Sequence, residues 1–373
     1  MKKLTVAILF GGRSGEHEIS LLSARSVLNM IDRSLFDVVE VGITRAGTWM
    51  VGNDVINSFE KGELNHLQRA FFLPESGNHT IYTETIHNGS TILAPYKTID
   101  VVFPVLHGSF GEDGTIQGLL DLIEIAYVGA GVLGSSVGMD KAVFKQIMRG
   151  IKINVLDDIV FSRKEILSNL DEVINRCEKL GPYPFFTKPA NLGSSVGISK
   201  CRDRKALING LKEAANYDRR ILVEIGLNKP MEIEVSVLGN EFPAASIAGE
   251  IVPGDEFYTY EDKYFNGVSI LIIPAELPTG MMDKIRDIAV RAFMAIDCSG
   301  MARVDFLVDQ NTEELYLNEL NTIPGFTQIS MYAKLWEASG IPYTELITRL
   351  IDLAKDRHNE KSLSFREYRK KEA

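Results

Sequence analysis

Cysteine is scarce in this chain: Cys177, Cys201 and Cys298 are the only three, widely separated and odd in number. They offer neither a disulfide framework nor the paired spacing of a zinc site. A reducing compartment suits such a sequence, and a cytoplasmic location is expected. No run approaches the roughly 18 consecutive apolar residues that a membrane-spanning helix needs. Met1-Lys2-Lys3, then the mostly apolar residues 4–10, lead straight into a glycine turn, which reads as a first buried strand and not a signal peptide. Positive charge is in deficit, with a formal net charge of -10. Nucleic-acid binding relies on clustered Lys and Arg that displace counterions, so neither nucleic acid nor a membrane is an expected partner. A phosphate-bearing ligand would need locally placed cations. Internal repeats and low-complexity segments are missing as well.

What is present is an ordinary globular composition. With 373 residues and 45% apolar content, the chain can bury a large core and suggests two or three domains. Residues 5–10, 36–43 and 100–106 read as buried strands, and residues 20–31 as a helix between the first two, the pattern of an α/β unit with a parallel sheet. Residues 53–95 are polar and poorly periodic, and irregular hairpins are expected there. From residue 132 the texture changes. A helix is predicted through residue 148, a strand at 158–161, a long helix over 164–180 and a strand leading into a glycine-rich loop, as in a second, smaller α/β domain. The rest alternates at 232–238, 301–308 and 314–320, with helices near 281–296 and 343–355, which predicts an antiparallel sheet with flanking helices. The tail over 361–373, rich in both charge signs, reads as a solvated helical end.

The chemistry concentrates in the last third. In Met301-Ala302-Arg303-Val304-Asp305-Phe306 the alternation puts Arg303 and Asp305 on one strand face. In Tyr316-Leu317-Asn318-Glu319-Leu320-Asn321, Glu319 and Asn321 again share a face. Hard oxygen ligands of this kind suit Mg²⁺, which binds a few protein oxygens together with substrate phosphates, and the lack of nearby Cys or His disfavours zinc. Singly, each reads as an exposed polar position; the convergence of four argues for a site. The turn that follows, Thr322 to Thr327, contains Gly325, which lets backbone N–H groups approach a ligand as an anion hole requires.

Upstream, Gly193-Ser194-Ser195-Val196-Gly197 offers hydroxyls and backbone donors for phosphates, with Lys188 five residues before it. The order differs from a Walker A loop, where Lys follows the glycines, and by itself the loop reads equally as a plain turn. Lys188 and Lys141 are two candidate phosphate cations, although either one alone reads as surface. Near the N-terminus, Gly11-Gly12-Arg13-Ser14-Gly15-Glu16 opens a helix without the dinucleotide GxGxxG spacing. Glu16 either balances the helix dipole or holds a substrate ammonium, and the sequence leaves both open. His107 follows a strand where α/β sheets place binding loops, yet a lone His is usually structural.

Taken together, Lys188-Pro189-Ala190-Asn191-Leu192-Gly193-Ser194-Ser195-Val196-Gly197, the Arg303/Asp305 strand and Asn318-Glu319-Leu320-Asn321-Thr322-Ile323-Pro324-Gly325-Phe326-Thr327 resemble the D-alanine:D-alanine ligase family of the ATP-grasp superfamily. Residues 11–20, residues 107–118 and Asp262-Lys263-Tyr264 fall in the family's order, so the resemblance covers nearly the whole chain. It implies an α/β fold with α+β elements in three domains: residues 1–131 for substrate, 132–225 and 226–373 gripping ATP. It also implies a homodimer that joins two D-alanines through a D-alanyl phosphate for peptidoglycan precursor synthesis.

By the same resemblance Lys141, Lys188, Ser195 and Lys263 belong to the ATP site, Glu224 lies by the adenine, and Glu232 holds ribose hydroxyls. Asp305, Glu319 and Asn321 bind two Mg²⁺ ions, with Mn²⁺ as an alternative. Glu16 receives the first D-alanine's ammonium and is linked through Ser194 to Tyr264. Arg303 and the Gly325 N–H stabilise the developing oxyanion, and Ser330 holds the second substrate's carboxylate. Residues 252–267 look like the family's lid loop. Tyr264 favours a dipeptide product, because similar ligases that make D-alanyl-D-lactate usually lack it. D-serine or D-lactate as acceptor, or a non-catalytic ATP-binding regulator, are the competing readings. Phe185-Phe186-Thr187 before Lys188, and Ala333 in place of a frequent proline, depart from the family's pattern.

Overall fold

The most apolar segment of the N-terminal third, β1 (Leu4–Gly11), becomes a central strand buried on both faces. The computed structural model describes residues 2–193, 196–252 and 270–366. Around β1 an eight-stranded sheet forms with β2 (Phe36–Ile43), β3 (Trp49–Val51), β4 (Gln68–Phe72), β5 (Thr80–His87), β6 (Ser90–Thr98), β7 (Val101–Pro104) and β8 (Ala126–Tyr127), in the order β6-β5-β4-β3-β2-β1-β7-β8. Its β2-β1-β7-β8 half is parallel, as the alternation of strands and helices predicts. The other half is antiparallel. The poorly periodic stretch is thus more regular than expected: it holds a short helix over Val55–Lys61 and the long β5–β6 hairpin. Exposure on both faces of β6 removed the alternation that would have revealed it.

Helices α1 (His17–Met30), α2 (Val55–Lys61) and α3 (Thr115–Leu122) flank this sheet. α4 (Val132–Met139) and α5 (Lys141–Gly150) then lead into a four-stranded antiparallel sheet. The single helix expected through residue 148 is broken at Asp140, whose extended backbone lets its carboxylate accept from Val143 N at 3.0 Å and cap α5. The break makes Lys141 the first residue of α5. The second sheet runs β11-β10-β12-β9, with β9 (Asp158–Ser162), β10 (Phe185–Pro189), β11 (Ser199–Cys201) and β12 (Arg220–Ile225). One face is covered by α6 (Arg163–Ser168), α7 (Leu170–Leu180) and α8 (Arg204–Tyr217), whose Ile166, Val173, Ile174, Leu207 and Leu211 pack with Phe185 and Val223. The long helix expected over 164–180 is two, divided at Asn169.

The third sheet, ordered β15-β14-β13-β16-β17, is antiparallel as predicted and comprises β13 (Met231–Gly239), β14 (Ala244–Val252), β15 (Ile270–Ile272), β16 (Gly300–Val308) and β17 (Leu315–Asn321). Ile233, Val235, Val304 and Phe306 point from it into a core shared with α9 (Met281–Ala295), through Ile285, Ala289 and Phe293. The last helices, α10 (Met331–Ala338) and α11 (Tyr343–Ser362), lie outside that core. Leu346, Ile347, Leu350 and Ile351 of α11 join Val6, Ile8, Phe10 and Val101 of the first sheet in one cluster. Among the described residues no helix is long and apolar enough to cross a membrane.

One glycine tests the packing of α4 against the third sheet's approach. A Cβ at Gly134 would lie 2.8 Å from Asp297 O and 3.1 Å from Cys298 Cα, both backbone atoms that cannot swing away. Alanine normally improves a helix by up to about 1 kcal/mol over glycine. Gly134→Ala is expected to invert that sign and lower stability by about 1–3 kcal/mol through overpacking, read as a fall in Tm. A rise would mean that the turn at Asp297 yields freely.

Candidate active site

The strand pairings of the third sheet gather polar side chains on one face. Arg303 lies opposite Asn321, and Asp305 opposite Glu319, on β16 and β17. On the other side of β16, Ser236 faces Arg303 and Glu234 faces Asp305. A register shift falls between Asp305 and Phe306, a bulge that locally re-aims the strand beside the acidic pair. The Arg303 guanidinium grips Asp305 with two bonds of 2.7 Å and lies 3.1 Å from Glu234. Burial alone would lower its pKa, but Asp305 and Glu234 more than offset this and hold it well above the ordinary value. Asn321 Nδ2 donates to Asp305 Oδ2 at 3.0 Å.

Asp305, Glu319 and Asn321, the predicted metal ligands, are therefore neighbours. They supply two carboxylates and an amide, and among the described residues no cluster of three or more His, Cys, Asp or Glu is arranged for a metal. The donor set fits a hard cation that completes its coordination with phosphate and water oxygens, as Mg²⁺ does. Accommodating one would require the Asn321 amide to turn its oxygen inward.

Lys141, at the start of α5, reaches across to this face: its ammonium donates to Leu192 O at 2.8 Å and lies 3.4 Å from Glu319 Oε2. The second sheet contributes the opposing wall. Phe186 pairs with Glu224 and Lys188 with Leu222, so Phe186, Lys188 and Glu224 point away from the face covered by α8. Lys188 forms an ion pair with Glu224, and its ammonium lies 5.7 Å from the Phe186 ring centroid. A second cation, Lys145, lies 2.5 Å from the other Glu224 oxygen. Burial pushes the Glu224 carboxyl up, but the two lysines dominate and bring its pKa down to about 2. Lys145 was missed by sequence reasoning; the available signal was a lysine four residues after Lys141, inside the apolar stripe of Ala142, Phe144 and Met148.

The first sheet supplies the third wall. Glu16 precedes α1, and its Oε2 would be 2.5 Å from a Cβ at Gly108 and 3.0 Å from one at Gly193. Glycine at these two positions gives the loops after β7 and β10 room to approach that carboxylate, and the positive φ of Gly108 also favours it there. The loop carrying Gly325 is anchored on α1, with Phe326 N donating to Ser23 Oγ at 3.3 Å and Gln328 N to Ser26 Oγ at 3.2 Å. His107 is buried between these parts, with Nε2 2.9 Å from Ser23 Oγ and Nδ1 3.0 Å from Ile323 O. Ser330 Oγ bonds Thr327 N at 3.1 Å and Thr327 Oγ1 at 2.7 Å, closing the turn beside Gly325. Glu232 lies on β13 opposite Leu307, on the same face as Glu234 and Arg303. Ser194, Ser195, Lys263 and Tyr264 lie outside the described residues, as does the expected lid beyond Val252.

The structure thus brings Glu16, Lys141, Lys188, Glu224, Glu232, Arg303, Asp305, Glu319, Asn321, Gly325 and Ser330 to the facing surfaces and loops of three sheets. Comparison with known proteins gives concordant matches over most of the chain. The family description "D-ala D-ala ligase N-terminus" matches residues 5–130, and "D-ala D-ala ligase C-terminus" matches residues 147–352. A D-alanine–D-alanine ligase of Thermoanaerobacter sp. is 51% identical over 364 residues, covering 97% of this chain and 99% of the relative. The enzyme so named from Natranaerobius thermophilus is 49% identical over 365 residues and covers 97% of both chains. Among solved structures, the D-alanine-D-alanine ligase of Coxiella burnetii has a TM-score of 0.81 at 34% identity, covering 97% of both chains. The VanG D-Ala:D-Ser ligase of Enterococcus faecalis has a TM-score of 0.82 at 30% identity, covering 95% of this chain and 100% of the other.

The Glu224 cluster has a defined pH signature. Because the folded-state pKa lies below the unfolded value, its stabilisation is fully present above about pH 4.5 and is lost as pH falls towards 2. Glu224→Gln is expected to cost about 3–5 kcal/mol at neutral pH, since it strands buried cations. In denaturant titrations the gap from the unsubstituted protein should narrow below about pH 4.5. A gap independent of pH would show that the carboxylate is not ionised in the folded chain.

Proposed function

The chain belongs to the D-alanine–D-alanine ligase family, and on that premise we propose how its residues carry the reaction. The protein is an ATP-dependent ligase that joins two D-alanines by a carbon–nitrogen bond to give D-alanyl-D-alanine for peptidoglycan synthesis. A carboxylate oxygen of the first D-alanine attacks the terminal phosphorus of ATP, releasing ADP and forming an acyl phosphate. The amine of the second D-alanine then attacks the acyl carbon, loses a proton and expels inorganic phosphate.

Glu16 holds the ammonium of the first D-alanine, a role supported by its position between Gly108 and Gly193 at the start of α1. Lys141 and Lys188 contact phosphates, Glu224 lies by the adenine and Glu232 by the ribose. Asp305, Glu319 and Asn321 hold Mg²⁺, which supplies charge neutralisation to the phosphate oxygens when bound. Arg303 and the Gly325 N–H stabilise the oxyanion that builds on the former carboxylate, and Ser330 helps hold the second substrate's carboxylate. Ser194, Ser195, Lys263 and Tyr264 keep the parts their motifs imply. Three domains, over 1–131, 132–225 and 226–373, belong to the same reading, supported by the three separate sheets; α11 packs on the first of these. A cytoplasmic homodimer completes the reading.

The observation that carries the reading is the shared face of Arg303, Asp305, Glu319 and Asn321, met by Lys141 from α5. Phosphate release and product mass, measured with Mg-ATP and D-alanine, D-serine, D-lactate or L-alanine, should show turnover with D-alanine and the dipeptide mass. Release that no donor stimulates would overturn it. Arg303→Met is expected to lower kcat by roughly 10²- to 10³-fold, the usual loss for an oxyanion donor, with a smaller change in the KM for ATP. An unchanged kcat would remove Arg303 from the chemical step.

A further inference from the structure

Lys145 is as deeply buried as any charged side chain in the cleft, at 2% exposure, and no step described above uses it. Buried lysines are rare unless paired. Its ammonium lies 2.5 Å from Glu224 Oε2 and donates to Leu156 O at 3.3 Å, while Lys188 takes Glu224 Oε1. One carboxylate therefore serves two ammonium groups. The two lysines differ in access. Lys188 is 11% exposed and lies near the end of β10, the strand that leads to the glycine-rich loop, whereas Lys145 is sealed on α5.

We propose that Lys145 is a positioning residue that keeps the Glu224 carboxylate neutralised when Lys188 leaves it for a nucleotide phosphate. The proposal rests on the assignment of Lys188 to a phosphate. Glu224 is fully buried, and a buried carboxylate stripped of its counterion is strongly destabilised. If Lys188 were its sole cation, the phosphate would have to compete with an anion that cannot be left alone. With Lys145 in place, Lys188 exchanges one anion for another and Glu224 stays paired. The exchange also favours itself. Burial holds Lys145 below the ordinary lysine range and the nearby Lys188 charge adds to that, so departure of Lys188 tightens the Lys145–Glu224 pair.

The test compares Mg-ATP with adenosine, which lacks phosphates, by equilibrium binding to the full chain. In the unsubstituted protein ATP should bind more tightly than adenosine. Lys145→Met is expected to weaken ATP binding by about tenfold or more while adenosine changes by less than about twofold, and to raise the KM for ATP more than it lowers kcat. In the double variant Lys145→Met/Glu224→Gln, Lys188 has no carboxylate to leave, so the ratio of ATP to adenosine affinity should return towards the original value. The double variant, with no unpaired buried anion, also keeps the test available if the single one unfolds. Equal losses for ATP and adenosine would make Lys145 merely structural and overturn the proposal, as would an unchanged ratio in Lys145→Met or an unrestored one in the double variant. ATP binding no tighter than adenosine in the unsubstituted protein would instead overturn the phosphate assignment of Lys188.

Discussion

Charge neutralisation across a mostly buried cleft is the constraint on which the rest of this structure depends. Glu224, Glu234, Asp305 and Glu319 would each be costly to bury alone, because low-dielectric surroundings disfavour an isolated charge. Each has a cation within reach: Lys145 and Lys188 for Glu224, Arg303 for Asp305 and Glu234, Lys141 for Glu319. Apart from Arg303–Asp305, which lie two residues apart on β16, these pairs run between elements distant in the chain, so the charges are balanced only when α5 and the second and third sheets are assembled.

The same pairs explain why such a site can handle polyphosphate. A ligand carrying several negative charges needs cations already gathered, yet gathered cations repel one another unless carboxylates hold them apart. In the proposed reading these carboxylates occupy the cations that ATP engages, so that binding is an exchange of anions at fixed cations. Arg303 shows the arrangement at its tightest, with both oxygens of Asp305 on one guanidinium and Glu234 beside it.

Backbone geometry makes this possible. On β16, alternation sends Val304 and Phe306 to the α9 core and Arg303 and Asp305 to the cleft. The N-terminal sheet contributes through close approach instead, with glycines at 108 and 193 admitting Glu16. Ser23 and Ser26 of α1 accept hydrogen bonds from Phe326 N and Gln328 N and so hold the Gly325 loop against the first sheet.

Sequence alone was sufficient for the parts governed by local periodicity. The alternation around Arg303 and Asp305, the facing pair Glu319 and Asn321, and the family motifs along the chain needed no coordinates, because a strand's two faces follow from its own residues. It did not reveal the break at Asp140, where a side-chain cap interrupts an otherwise helical pattern, or the regular hairpin of β5 and β6, in which β6 is too exposed to alternate. Nor did it find Lys145, which reads as an ordinary helix-surface lysine until Glu224 is placed beside it. That partner lies 79 residues away in sequence and 2.5 Å away in space. Alternation is a property of one strand and can be read from it; the pairing of buried charges is a property of the assembled elements, and only the tertiary structure decides it.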